Sequence, residues 1–341
     1  MNSAQKQVVN LPCEVCSDAK PASWRTLRYP QYGYPGAFEL CRCGGCGLVF
    51  NSPRLVPEAL SQLYDHNYYI FAEPAEEAFQ RVAGLHHATV ARLEAVAPAR
   101  GPVLEVGSAK GYMLGLLKDR GWDVQGVELS SHAAAYAQSA FGVPVYNGTL
   151  ESWVEQPGFV PRPLAYSTDV IEHVPSPRDF LRAMHRAIAE DGLLLIGTPN
   201  IASDGVEAHG ADWLGFNPFH IWLFSRETLS RLLAQNGFDV LEAWTFGNAE
   251  LGRYPAMSPA KRWLRDTAAR SGLLNGLRRL RGGEAPPPSA EALAALRTET
   301  GRQLAAAPDW RDSEDGRHPR AAACRGDNLV ILARRRPGAL A

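Results

Sequence analysis

The rhythm of apolar and polar positions changes character repeatedly along this chain. Short, nearly continuous apolar runs occur at 103–106 (VLEV), 123–129 (DVQGVEL), 143–146 (VPVY), 164–170 (LAYSTDV), 193–200 (LLLIGTPN), 239–246 (DVLEAWTF) and 328–335 (NLVILARR). Runs of this length read as buried strands. Between them, in YMLGLLKDRG, SHAAAYAQSAFG, SPRDFLRAMHRAIAEDG and FSRETLSRLLAQNGF, apolar residues recur at helical spacing. In the third of these, Ser176 suits the N-cap, Pro177 the first helical position and Asp179 the place three residues after the cap, and Gly192 is expected to close the helix. Strands alternating with helices predict an α/β fold, a doubly wound, Rossmann-like, parallel sheet of seven strands covered on both faces.

Three segments stand outside this rhythm. Residues 1–50 are cysteine-rich and glycine-bearing. Residues 51–73 carry many aromatics and read as a strap leading into the α/β domain (74–341), which a helical pattern opens from about Ala75 to Val96. Residues 248–326 interrupt the order before the last strand with basic amphipathic helices and the linker EAPPPS, a helical insertion. No solenoid-length repeat is present.

Composition narrows the field. The 341 residues are 45% hydrophobic and 21% charged, with a formal net charge of -1. That balance offers no general attraction to nucleic acid or anionic lipid. No apolar run approaches the roughly 18 residues of a membrane span. The N-terminal MNSAQKQVVNLPCEVC has no apolar core of a signal peptide. The expectations are a cytoplasmic protein, no membrane span and no nucleic-acid partner.

The turn after the first strand, EVGSAKG, carries the first chemistry. A dinucleotide site needs G-x-G-x-x-G to set a pyrophosphate on a helix N-terminus. This turn has Ala109 at the middle glycine position, and an acid, Glu105, stands two residues before Gly107. A carboxylate there repels a pyrophosphate and suits an ammonium group. Gly107 and Gly111 are expected to let backbone approach the ligand closely. Glu128 ends the second strand, where an acid accepts hydrogen bonds from ribose hydroxyls. The ligand then needs a ribose, a cationic amino group and no phosphate, and S-adenosylmethionine has all three.

On VLEVGSAKG, GVELS, YSTDVIEHVPSP and GLLLIGTPN, the sequence resembles the class I S-adenosylmethionine-dependent methyltransferases. The resemblance covers about residues 75–247 and the last strand. It implies that Asp169 lies by the cofactor at the end of strand four and that NGTLES (147–152) passes the adenine at Thr149 and Leu150. The expected cofactor-binding set is Glu105, Gly107, Ser108, Gly111, Tyr112, Glu128, Leu129, Thr149, Leu150, Asp169 and Tyr69. Tyr68 and Tyr69 either close over the methionine end or anchor the strap.

Five of six cysteines fall between Cys13 and Cys46. Two C-x-x-C pairs, Cys13/Cys16 and Cys43/Cys46, can close a tetrahedral structural zinc site, with Cys41 as an alternative ligand. The ribbon followed by GLVFNSPRL resembles the N-terminal zinc-binding part of bacterial methyltransferases acting on nucleotide sugars, polysaccharides and secondary metabolites. It departs from the sugar C-methyltransferases in motif I, where they carry Asn-Asp-Gly and this chain carries Ala109-Lys110-Gly111. Their long C-terminal domain is also missing from the pattern. O-methylation is then at least as well supported as C-methylation.

An oxygen nucleophile needs a general base, most often histidine. His220, in the aromatic segment WLGFNPFHIWLF, and His173, in DVIEHV, are the expected catalytic residues, with Asp169 a cofactor-side residue first and a base second. The expected partner is a small-molecule or sugar-linked acceptor. The insertion reads as a lid or homodimer contact, or as a surface for anionic lipid-linked substrate. Two rival readings remain open on sequence: a methyltransferase for RNA or protein, and a non-catalytic cofactor-binding module.

Overall fold

A computed structural model describes residues 8–17, 21–29, 36–56, 89–246 and 325–338, with isolated positions between 291 and 302. The expected opening helix is seen over residues 89–96. Its earlier part, most of the strap with Tyr68 and Tyr69, and nearly all of the 248–326 insertion lie outside the described residues.

The N-terminal part contributes β1 (Val8–Val9), β2 (Ala22–Tyr29), β3 (Gly36–Arg42), β4 (Val49–Asn51) and β5 (Arg54–Leu55). Then come β6 (Pro102–Val106), α1 (Tyr112–Asp119), β7 (Asp123–Glu128), α2 (Ser131–Phe141), β8 (Val145–Asn147), α3 (Leu150–Trp153), β9 (Arg162–Thr168), α4 (Pro177–Ala187) and β10 (Ile188–Pro199). The chain continues through α5 (Asp204–His209), β11 (Trp222–Leu223), α6 (Arg226–Gln235), β12 (Phe238–Phe246) and β13 (Asn328–Arg335).

The seven expected strands form one sheet in the order β12-β13-β10-β9-β6-β7-β8. Alternate side chains feed two cores: Leu104, Ala165, Leu194 and Ile196 on one face, Val103, Leu164, Tyr166 and Leu195 on the other. This is the physical content of the doubly wound reading. The sheet is mixed rather than wholly parallel. β13 runs antiparallel to both β10 and β12. The strand order reverses between β6 and β9, which pair in parallel and open a crevice at their carboxyl ends.

One helix end is corrected. Gly192 does not close α4, which stops at Ala187 as Ile188 turns extended at φ -102°, ψ 138°. Ile188 is fully buried and pairs with Arg162 at the start of β10. Burial of this β-branched side chain in the sheet outweighs one more helical turn. Gly192 then sits in the irregular stretch of β10, where a side chain would meet the Pro163 carbonyl at 2.8 Å.

The cysteine-rich part is a small antiparallel sheet, β11-β4-β3-β2. Its β11 comes from the segment after the fifth core strand, so the ribbon and the α/β domain share a sheet. Asn51 seals the junction: its N–H donates to the Ile221 carbonyl (2.9 Å) and its amide to the Pro218 carbonyl (3.3 Å). Phe50 packs on Trp222, ring centroids 5.4 Å apart. The ribbon is also pinned to the start of α4. Arg54 donates to the Pro175 carbonyl (2.8 Å), and Arg178 to the carbonyls of Glu14 (2.5 Å) and Val15 (3.3 Å).

Candidate active site and metal centre

The β6–α1 turn needs left-handed backbone at Gly107 (φ 78°), Ala109 (φ 45°) and Gly111 (φ 73°). A Cβ on Gly107 would fall 2.3 Å from Cγ2 of Val170, beside Asp169, so the two loops of the crevice touch there. Glu128 clasps the same turn. One carboxylate oxygen accepts the Ala109 N–H and the other the Ser130 N–H, both at 2.8 Å. Each oxygen keeps a lone pair for a ligand hydroxyl. Leu129, next in line, is 71% exposed, an apolar surface at the crevice.

Glu105 is buried beside Tyr166 and α1, and its Oε2 has no hydrogen-bond partner among the described residues. Burial pushes its carboxyl up to about 8, against the pull of the nearby Tyr166 hydroxyl. A buried carboxyl with one unpartnered oxygen, beside a glycine turn, fits a ligand ammonium. Together, Glu105, the Gly107 turn, Glu128 and Leu129 fit S-adenosylmethionine.

Other expected cofactor contacts are placed differently. Gly111 is required for helix packing, since a Cβ there would fall 2.5 Å from that of Ala137 on α2. Tyr112 is buried against Tyr136 and Phe141, at 6.1 and 5.6 Å between ring centroids. Ser108 is buried with its hydroxyl against Gly126. Leu150 is a core residue, and Thr149 caps α3 by accepting the Ser152 N–H at 3.2 Å. Tyr112 and Leu150 thus pack in the core and Thr149 caps α3, while the buried Ser108 hydroxyl has no hydrogen-bond partner among the described residues.

Across the crevice, Asp169 takes a left-handed φ of 56° and donates its N–H to the Gly197 carbonyl at 3.1 Å. Its side chain is open to solvent yet walled by protein, the situation of a group on a concave surface; desolvation raises its carboxyl to about 6. Three residues on, Glu172 is fully buried. Its Oε2 accepts the Thr198 hydroxyl at 3.0 Å, and burial followed by the charge of Asp169 raises it well above the usual carboxylate range. Sequence reasoning did not single out Glu172; an acid inside DVIEHV gives no separate signal.

His173 and His220 meet edge to face, ring centroids 4.8 Å apart. His173 Nδ1 is 2.8 Å from the Phe219 carbonyl and His220 Nδ1 is 2.9 Å from the Gly215 carbonyl. A carbonyl only accepts, so each Nδ1 carries the proton and each Nε2 is the basic nitrogen. Desolvation lowers His173 to about 4, and desolvation with the neighbouring His173 lowers His220 to about 3. Both rings are neutral at pH 7. With its imidazole neutral, the 3.9 Å approach of His173 Nε2 to Glu172 is not an ion pair.

In the ribbon, the four expected cysteines converge. Cys13 and Cys46 sulfurs are 3.4 Å apart, Cys16 and Cys43 sulfurs 3.3 Å, and all four lie within 4.8 Å of one another. Tetrahedral zinc with bonds of about 2.3 Å places its sulfurs about 3.8 Å apart, so the cluster fits that ion. Cys41 is not part of it; its thiol donates to the Ser52 carbonyl at 3.2 Å.

Residues 75–243 match the family model described as "Methyltransferase domain". With the fold and crevice above, this stretch is a methyltransferase domain of that family. No curated protein sequence matches the chain. Among solved structures, it is similar to an S-adenosylmethionine-dependent methyltransferase from Archaeoglobus fulgidus, with 15% identity, a TM-score of 0.46, and coverage of 76% of this chain and 97% of that one. It is similar to another such methyltransferase from Mesorhizobium loti, at 17% identity, TM-score 0.39, covering 73% and 98%. A third is the glycopeptide N-methyltransferase MtfA in complex with S-adenosylmethionine, at 17% identity, TM-score 0.38, covering 49% and 89%. Among the described residues no helix is long and apolar enough to cross a membrane.

Proposed function

We propose that this enzyme methylates an oxygen, or a carbon, of a small-molecule acceptor such as a sugar, a polysaccharide unit or a secondary metabolite. The observation that carries this is the pair His173 and His220. Two neutral imidazoles, each fixed by a backbone carbonyl, stand at the carboxyl edge of the sheet on the loops that follow strands four and five. A nitrogen acceptor arriving as a free amine has less need of such a base; a hydroxyl has to lose its proton as the methyl arrives.

The bound cofactor supplies a methyl group already activated by its sulfonium. Glu128 would hold the ribose hydroxyls, Glu105 the amino group, and Leu129 would cover the adenine. Asp169 would line the amino-acid end. His220, with His173 behind it, would take the proton from the acceptor and orient it. A structural zinc ion on Cys13, Cys16, Cys43 and Cys46 has no open position for chemistry. Its role would be to stiffen the ribbon that braces both histidine loops.

The test is to incubate the purified protein and methyl-labelled S-adenosylmethionine with fractionated extract of its source cells. Label in small polar molecules or glycans is the expected result. Label confined to RNA or protein would overturn the acceptor class, and loss of binding to S-adenosylhomocysteine would overturn the enzymatic reading itself.

A further inference from the structure

A second cleft, of about 490 Å³, lies where the ribbon meets the α/β domain, lined by Trp24, Arg25 and Arg42 on one side and by Ser203, Glu207 and Arg325 on the other. Neither Asp169 nor either catalytic-site histidine lines it. We propose that this cleft binds the phosphate group of a phosphorylated small molecule, holding a phosphate-bearing acceptor by its anionic end.

The strand geometry builds the cationic wall. Ser23 pairs with Cys41 and Arg25 with Leu40, so Trp24 is the extra residue of a β-bulge. On a regular strand Trp24 and Arg25 would point to opposite faces; the bulge turns both toward the cleft. The guanidinium carbons of Arg25 and Arg42 then lie 4.4 and 4.5 Å from the centre of the same indole ring. Among the described residues no carboxylate forms an ion pair with either arginine. On the opposite wall, Arg325 is already matched, bonded to Asp204 (2.5 Å) and Glu207 (2.8 Å). Among the described residues, the cleft's Arg325 and Glu207 pair with each other, while Arg25 and Arg42 form no ion pair. Two guanidinium groups stacked on one ring put two positive charges on this wall of the cleft, which suits a divalent oxyanion whose oxygens accept from N–H donors. A monovalent carboxylate would neutralise only one of the two charges.

A chain of contacts joins this cleft to the methyl-transfer site. Trp24 packs edge-on against Phe216 at 5.9 Å, Arg25 lies 5.5 Å from the same ring, and the adjacent Gly215 carbonyl holds His220. An acceptor anchored by phosphate on the ribbon is therefore bound beside the residues that orient the proposed base. The inference rests on the small-molecule reading above for what the ligand is for, while phosphate binding itself is measured without methyl transfer.

The experiment is calorimetric titration of the zinc-loaded full chain with inorganic pyrophosphate, for the wild type, Arg42→Gln and Arg25→Gln. Arg42 is exposed, so its variant tests the charge without disturbing the core. Expected are saturable binding by the wild type and at least tenfold weakening in each variant, with S-adenosylhomocysteine affinity and zinc content unchanged. A sugar 1-phosphate and a nucleoside diphosphate sugar, run beside the free sugar, tell which source of phosphate fits; each must bind more tightly than the free sugar if it is the source. Absence of pyrophosphate binding by the wild type, or binding equal in all three proteins, would overturn the proposal. Intact S-adenosylhomocysteine binding in that case would leave the methyltransferase reading standing.

Discussion

His173 and His220 stand with ring centroids 4.8 Å apart and planes at 71°, each with Nδ1 on a backbone carbonyl of the 213–220 loop. Replacing His220 with Ala is expected to slow methyl transfer by about 10²–10⁴-fold, the usual contribution of general-base catalysis, while S-adenosylhomocysteine affinity stays within about twofold. His173→Ala should fall in the same direction. Single-turnover label transfer to the acceptor fraction, read beside cofactor calorimetry, checks this. If both variants turn over normally, the base assignment fails.

The pH profile separates these histidines from Asp169. Their basic forms, lowered to about 4 and 3, persist throughout the neutral and mildly acidic range. Asp169, raised to about 6, loses its charge as pH falls through 6. Transfer rate at subsaturating cofactor is therefore expected to decline below about pH 6, and Asp169→Asn should flatten that limb. The histidines add a stability term of the same sign. Their folded values lie below the unfolded value near 6.5, so the unfolded chain binds more protons between about pH 4 and 6.5, and stability falls as pH drops through that window.

Glu105 predicts proton release on cofactor binding. Its carboxyl, raised to about 8, is mostly protonated at pH 7; a ligand ammonium beside Oε2 favours the ionised form. Binding of S-adenosylmethionine should then release up to about one proton at pH 7 and progressively less above pH 8. Calorimetry in buffers of different ionisation enthalpy measures it directly. The folded value lies above the unfolded one, so the free protein loses stability as pH rises from about 4.5 to 8. Glu105→Gln is expected to remove that loss and raise the melting temperature at pH 8, while weakening cofactor binding.

Gly107→Ala should damage the crevice in two ways. Left-handed backbone costs a non-glycine residue about 1–2 kcal/mol, and the new methyl would have to displace Val170 from 2.3 Å. The expected outcome is a lower melting temperature and at least tenfold weaker cofactor binding, measured by thermal unfolding and calorimetry.

Loss of the cysteine cluster should reach the active site through the brace. Cys43→Ser, or chelation, is expected to remove one zinc equivalent by elemental analysis and to abolish methyl transfer. Cofactor binding should be retained, because Glu105 and Glu128 stand on strands that pair with β8 and β9 and not with a ribbon strand. Equal losses of transfer and cofactor binding would instead mean that the ribbon supports the whole domain.

Much of this molecule was legible in the chain itself, because its signals are local. Apolar runs of strand length, the Ser176-Pro177-Asp179 helix start and the glycines of EVGSAKG each express a constraint met within a few residues. The acids Glu105 and Glu128 were readable because their positions at two strand ends follow from that pattern. What sequence could not supply was the direction in which side chains leave their elements. Tyr112 and Leu150 sit in the expected segments with their side chains in the core, and the Thr149 hydroxyl is used to cap α3. The end of α4 was misplaced because the burial of Ile188 in a strand is a tertiary gain that no local rule contains. The meeting of His173 with His220, the exclusion of Cys41 from the cysteine cluster and the sharing of β11 between ribbon and α/β domain arise from contacts between segments far apart in the chain. Local sequence thus set the elements and the chemistry available; long-range packing decided which of those groups face one another.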